Sequence, residues 1–188
     1  MFVAVLSDKP ELREAFCKSF GKEVSKDELG IYSVDENGKK IWLVDPVQYP
    51  EKIQPLLHTL SMADFVVLLV DGLTPKVGEL LVAVNSLKLD KGVIVSNATL
   101  PVGGMVLEKY DKVADNASAK EKILAASVNA GENTFGLVYR TTNLPSLGHV
   151  AYGTLKGGTM KKQDKMFLLP DRKEIEVRSI NVDGTGVD

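Results

Sequence analysis

The sequence predicts an α/β domain with a mostly parallel sheet and helices on both faces, followed by a small all-β barrel. Three observations carry that expectation. Residues 41–44 and 65–70 are short β-branched runs, each closed by an aspartate, Asp45 and Asp71; such runs read as strands buried on both faces. Between them Leu56, Leu57 and Leu60 recur at helical spacing, which makes a right-handed βαβ unit. At about Asn129 this alternation gives way to short β segments punctuated by Gly157-Gly158 and Pro170-Asp171, the pattern of a small barrel. The domains predicted are 1–130 and 131–188.

Taken in order, Phe2–Leu6 is the first strand. Ser7 or Asp8 is placed to cap the next helix, with Pro10 in its first turn, Glu11 at the positive helix end and Gly21 as the stop. Leu12, Ala15, Phe16 and Phe20 supply its apolar stripe, and Cys17 reads as a small buried core residue. Residues 22–29 are charged and show no period. Segments 31–34 and 40–44 flank Asn37-Gly38, which suits a tight hairpin and one antiparallel edge strand. Pro46, Pro50 and Pro55 impose an irregular loop before a helix starting near Pro55. Thr74-Pro75 then opens a helix striped by Val77, Leu80, Leu81, Val84 and Leu87. Residues 92–96 are a strand, 103–122 read as helical, and 123–128 read as a last short strand, with the end of that helix as the alternative. Beyond 130, segments 135–141, 149–155, 165–169 and 174–180 are strand-like.

The composition excludes several classes. A chain of 188 residues with 44% hydrophobic and 26% charged positions is ordinary for a globular protein. The formal net charge of −2 gives no overall basic field for DNA or an anionic membrane. One cysteine excludes an internal disulfide framework and fits a reducing compartment. The longest apolar run falls far short of the ~20 residues that span a bilayer, and Met1 leads straight into a strand, so the expectation is a cytoplasmic chain with no membrane partner.

The layout also resembles a known family, the translational GTPases. LVDPVQYPE stands where elongation factor Tu and its selenocysteine-specific relatives carry D-T-P-G-H-E, and MADFVVLLVDG resembles the A-D-x-x-x-x-V-V-D/N-A run that follows. GHVAYGTLKGGTMKKQDKMFLLPDRKEIEVRSI resembles the start of domain 2 of those factors, especially archaeal forms. The resemblance implies a P-loop GTPase-like domain followed by a domain 2-like barrel, with tRNA, the ribosome or another translation factor as partner. The family's barrel continues with further strands, so the expectation is an incomplete barrel or one completed by another chain.

The motifs that bind nucleotide are changed. A P-loop needs G-x-x-x-x-G-K-S/T, whose backbone amides cradle phosphate; this chain has SDKPELRE after its first strand. Asp8 and Glu11 bring like charge, at about 4 kcal/mol for a carboxylate–phosphate contact at 4 Å and an effective dielectric of ~20. Arg13 offers a charge from inside the helix. The D-x-x-G motif reads Asp45-Pro46-Val47-Gln48, with Tyr49 where the family has histidine, and the N-K-x-D position reads Ser96-Asn97-Ala98-Thr99.

The expectation is a pseudo-GTPase with no catalytic residue, no cofactor and no metal. Ser7, Asp8, Lys9, Asp45, Gln48 and Asn97 mark the degenerate pocket. Asp8 and Asp45 read as a helix cap and a strand end, with a shared cation as the alternative; Lys9 reads as a solvated side chain, with anion binding as the alternative. His58 reads as surface and His149 as a satisfied barrel histidine. Lys161, Lys162, Lys165, Arg172 and Lys173 read as a mixed solvated face, with an RNA or partner surface as the alternative. Two other functions stay open: a GTP-binding elongation factor with an atypical pocket, which would be an enzyme of the GTPase kind, and a small-ligand binder using the strand-end crevice.

Overall fold

The computed structural model describes residues 1–128, 133–182 and 185–187. It divides into two units, Met1–Asn129 and Ala130–Asp188. Unit 1 runs β1 (Phe2–Leu6), α1 (Pro10–Phe20), β2 (Lys22–Lys26), β3 (Gly30–Glu36), β4 (Lys39–Asp45), α2 (Ile53–Met62), β5 (Phe65–Leu69), α3 (Pro75–Ser86), β6 (Gly92–Val95), β7 (Asp111–Val113) and α4 (Asn116–Ala125). Its seven strands form one sheet in the order β2-β3-β4-β1-β5-β6-β7. The five from β4 to β7 are parallel, and β2 and β3 add an antiparallel edge.

Every residue of β5 is buried, as its unbroken apolar run requires in a strand covered on both faces. One core joins Leu56, Leu60, Val77, Leu80, Leu81 and Val84 of α2 and α3 to Ala4, Leu6 and Leu68. The other joins Phe16 and Cys17 of α1 and Ile123 of α4 to Val3, Val5, Leu43 and Val67. At about 1.5–3 kcal/mol for each large side chain fully buried, these two layers are the main force ordering the strand ends. The β3–β4 hairpin turns at Asn37 and Gly38, both with positive φ (54° and 71°), the geometry of a two-residue type I′ turn.

Four expectations are corrected. Residues 22–29 contain a strand, β2, whose five residues are all exposed, so no alternation showed. Residues 103–122 are not one helix: a 3₁₀ turn at Val106–Lys109 and strand β7 precede α4. The last parallel strand is therefore Asp111–Val113 rather than 123–128; the alternative reading of that segment as a helix end holds at its start, where Ile123 is a buried residue of α4. Its charged sequence DKV fits a sheet edge, where one side meets solvent. Finally, α3 stops at Ser86, leaving Leu87 half exposed.

Gly92 shows how tightly the start of β6 is packed. A Cβ there would lie 2.5 Å from the Val66 carbonyl oxygen and 2.6 Å from Tyr110 Cζ. The Tyr110 ring cannot retreat easily, because its hydroxyl donates to the Leu89 carbonyl at 2.6 Å. Gly92→Ala is expected to cost about 1–3 kcal/mol or more through overpacking. Urea unfolding measures it, and a loss below about 0.5 kcal/mol would contradict the packing described.

Among the described residues, unit 2 contains three separate two-stranded antiparallel sheets. They are β8 (Phe135–Leu144) with β9 (Gly148–Gly157), β10 (Lys165–Leu168) with β11 (Lys173–Glu176), and β12 (Ile180–Val182) with β13 (Thr185–Val187). The strands are thus those of a small β unit, but their ladders do not join into one barrel sheet. His149 is exposed on β9 opposite Asn143, not a buried barrel histidine.

Candidate functional site

Above the carboxyl ends of β1, β4 and β5 lies the crevice where open α/β sheets bind ligands. Here it is filled by the chain's own side chains. Arg13 is fully buried, and its guanidinium satisfies four acceptors. Nε donates to Asp45 Oδ1 at 2.6 Å, Nη1 to the Ser7 carbonyl at 2.6 Å, and Nη2 to the carbonyls of Pro46 at 3.1 Å and Tyr49 at 2.7 Å. The helix puts it there. Arg13 lies three and four residues before Phe16 and Cys17, on the buried face of α1. Long side chains lean toward a helix's N-terminus, which here means toward the strand ends.

Asp45, the last residue of β4, is 3% exposed. Burial pushes its carboxyl above the usual carboxylate range, and the Arg13 guanidinium pulls against that shift without reversing it. Burial also raises the Cys17 thiol, which has no access to solvent.

Two further contacts stitch the β1–α1 loop to the loop after β5. Lys9 Nζ meets Asp71 Oδ2 at 2.7 Å, holding the Asp71 carboxyl below its ordinary range. Thr74 Oγ1 donates to Asp8 Oδ2 at 2.8 Å while accepting from the Val77 amide as the cap of α3. Asp8 therefore does not cap α1, whose N-cap is Lys9 with no side-chain cap. The structure brings Ser7 and Asp45 together through Arg13, and pairs Asp8 and Lys9 with a different loop. Gln48 lies half-buried in the β4–α2 loop, its carbonyl accepting from the Lys52 amide at 2.9 Å. Asn97 is exposed and lines a cleft of about 240 Å³ at the carboxyl ends of β5 and β6, with Leu12, Asp71, Val95 and Asn116. Sequence reasoning left Arg13 inside a helix; its place three residues before Phe16 on an apolar face was the available signal.

Glu14, beside Arg13 on α1, is partly exposed. It bridges Lys18 at 2.7 Å and Lys26 at 2.6 Å, and these hydrogen bonds lower its carboxyl to about 2. Because the folded value lies below the unfolded one of about 4.3, its contribution is present above that value and lost as the pH falls toward about 2. Carbon-detected NMR titration of the side chain checks this; an ordinary value near 4 contradicts the double bridge.

His58 is half-buried on α2, with Nδ1 3.9 Å from Glu28, rather than on the open surface. Among the described residues no group of three or more His, Cys, Asp or Glu side chains is arranged to hold a metal. Lys161, Lys162, Lys165, Arg172 and Lys173 are all exposed. They fall at opposite ends of the β10–β11 hairpin, about 10 Å apart along the strand. Glu174 takes Lys165 at 3.0 Å, and Asp164 accepts from the Lys161 amide at 2.7 Å.

The mostly parallel sheet with its antiparallel edge at β2–β3, followed by a separate β unit, is a fold shared with translation elongation factors. Solved structures similar to this chain share it. Translation elongation factor SelB from Methanococcus maripaludis, bound to the GTP analogue GppNHp, superposes with a TM-score of 0.73 at 15% identity, over 100% of this chain and 48% of that one. The apo form gives 0.70 at 16% identity and 49% of that chain, and a bacterial selenocysteine-specific elongation factor EF-Sec gives 0.69 at 17% and 40%. In sequence, an uncharacterized protein of Methanocaldococcus jannaschii is 26% identical over 187 residues, 90% of this chain. The chain spans 58% of that relative's length and less than half of the elongation factors'. No protein-family model matches the chain. Among the described residues no helix is long and apolar enough to cross a membrane.

Proposed function

We propose that this chain is an elongation-factor-like scaffold whose G-domain crevice no longer takes nucleotide, and that it acts by binding components of translation. The carrying observation is the Arg13–Asp45 pair. A cation already fills the space above β1 and β4, and the aspartate at the end of β4 is spent on it. The SelB and EF-Sec likeness supports a translation partner: tRNA, the ribosome or another factor. A small-ligand role has one observation in its favour, the 240 Å³ cleft beside Asn97, whose walls are mainly apolar.

The test pairs calorimetric titration with GTP and magnesium against cosedimentation with ribosomes and a gel shift with tRNA. Binding to ribosomes or tRNA unaffected by guanine nucleotide is the expected result. Tight GTP binding would return the chain to the working GTPases. A thermal shift with a metabolite alone, and no binding to ribosome or tRNA, would favour the cleft.

A further inference from the structure

We propose that Arg13 and Tyr49 lock the loop between β4 and α2 in a single conformation that needs no ligand. The absence of a ligand requirement deepens the reading above; the lock itself rests on contacts that reach the loop from α1 and α3. The segment 46–52 is held from outside at three points. Arg13 Nη2 donates to the carbonyls of both Pro46 and Tyr49, bracketing the turn. Tyr49 is fully buried within the α2–α3 core, and its hydroxyl donates to the Lys76 carbonyl at the start of α3 at 3.2 Å.

The Arg13 guanidinium and the Lys76 ammonium each lie 5.9 Å from the Tyr49 ring centroid, so two cations attend the same aromatic face system. Within the loop, the Tyr49 amide donates to the Pro46 carbonyl and the Lys52 amide to the Gln48 carbonyl, both at 2.9 Å. Pro46 and Pro50 remove two of its backbone torsions from play.

Moving this loop would withdraw a buried tyrosine from a core and strip acceptors from a buried guanidinium at the same time. Segments that open easily have few buried contacts and exposed hydrogen bonds; this loop has the reverse. The neighbouring loops are tied to each other independently by Lys9–Asp71 and Asp8–Thr74.

Residue-resolved amide exchange on the whole chain tests the lock. Tyr49 and Lys52 should exchange as slowly as the amides of β1, and their rates should not change on adding GTP or GDP with magnesium. Arg13→Lys keeps the charge but loses the planar fork that reaches four acceptors. It should speed exchange at Tyr49 and Lys52 by about tenfold or more while leaving α4 unchanged. Exchange of these amides in the native chain as fast as in the exposed strand β2, or no acceleration in a folded Arg13→Lys variant, overturns the proposal. If that variant does not fold, the native rates alone decide. GTP binding with a protected loop whose rates stay unchanged would overturn the nucleotide-free reading and leave the lock standing. Absence of GTP binding with a fast loop would do the opposite.

Discussion

Titration with GTP and magnesium is expected to show no binding at micromolar concentrations, and no GTP hydrolysis is expected to follow. Phosphate binding at such a site depends on backbone amides, a lysine and a metal held by a hydroxyl. Pro10 at the start of α1 has no N–H to offer, and no glycine lies between Ser7 and Arg13 to bring backbone close. Losing three charge-assisted hydrogen bonds at ~1.5–3 kcal/mol each removes roughly 4.5–9 kcal/mol, more than three decades of affinity.

The structure adds a second obstacle. To admit phosphate and magnesium near Asp45, the guanidinium would have to leave four acceptors in a buried site. Lys9, the cation of the β1–α1 loop, is engaged with Asp71. Calorimetry decides the matter, and a dissociation constant below about 10 µM would sink the proposed function.

Arg13→Ala is expected to destabilise unit 1 by about 3–5 kcal/mol, the cost of breaking a buried ion pair by removing one partner. The substitution leaves the Asp45 carboxylate buried and takes a donor from the carbonyls of Ser7, Pro46 and Tyr49. Against a total stability of roughly 5–15 kcal/mol this is a large fraction. It should lower the melting temperature by roughly 6–20 °C. Asp45→Asn should cost less, because the amide oxygen still accepts from Nε and the guanidinium keeps its three carbonyls.

The pH dependence has a definite sign. Burial already raises the Asp45 carboxyl, so the folded state is the better proton binder and this group disfavours folding as the pH rises through its folded value. Removing Arg13 removes the opposing pull and raises the carboxyl further. The gap between Arg13→Ala and the native chain should therefore be widest at neutral pH and narrow in acid, as Asp45 takes up a proton. Denaturant melts at several pH values measure this; a loss below about 1 kcal/mol at neutral pH would show the pair to be unimportant.

Much of the fold was legible because it follows from local pattern. The run 65–70 and the Val77–Leu80–Leu81–Val84 stripe became β5 and α3, since burial on two faces and on one stripe leaves opposite periodicities. Thr74 caps α3 as its neighbour Pro75 predicted. The misses share a cause. Strands β2 and β7 are edge strands with charged sequences, and an edge is defined by its neighbour rather than by its own residues. Asp111–Val113 became a strand only because β6 offers it a parallel ladder.

The sequence by itself determined the alternation of strands and helices, the change to a β unit after about residue 130, and the absence of a phosphate-cradling glycine loop. Each is written in neighbouring residues, where spacing and backbone chemistry decide. Only the tertiary structure decided what occupies the crevice instead. Arg13 and Asp45 are 32 residues apart, and Lys9 and Asp71 are 62 apart. A buried charge takes whatever counter-charge and carbonyls the packed strands bring within reach, so its partner is a property of the assembled sheet and not of any segment.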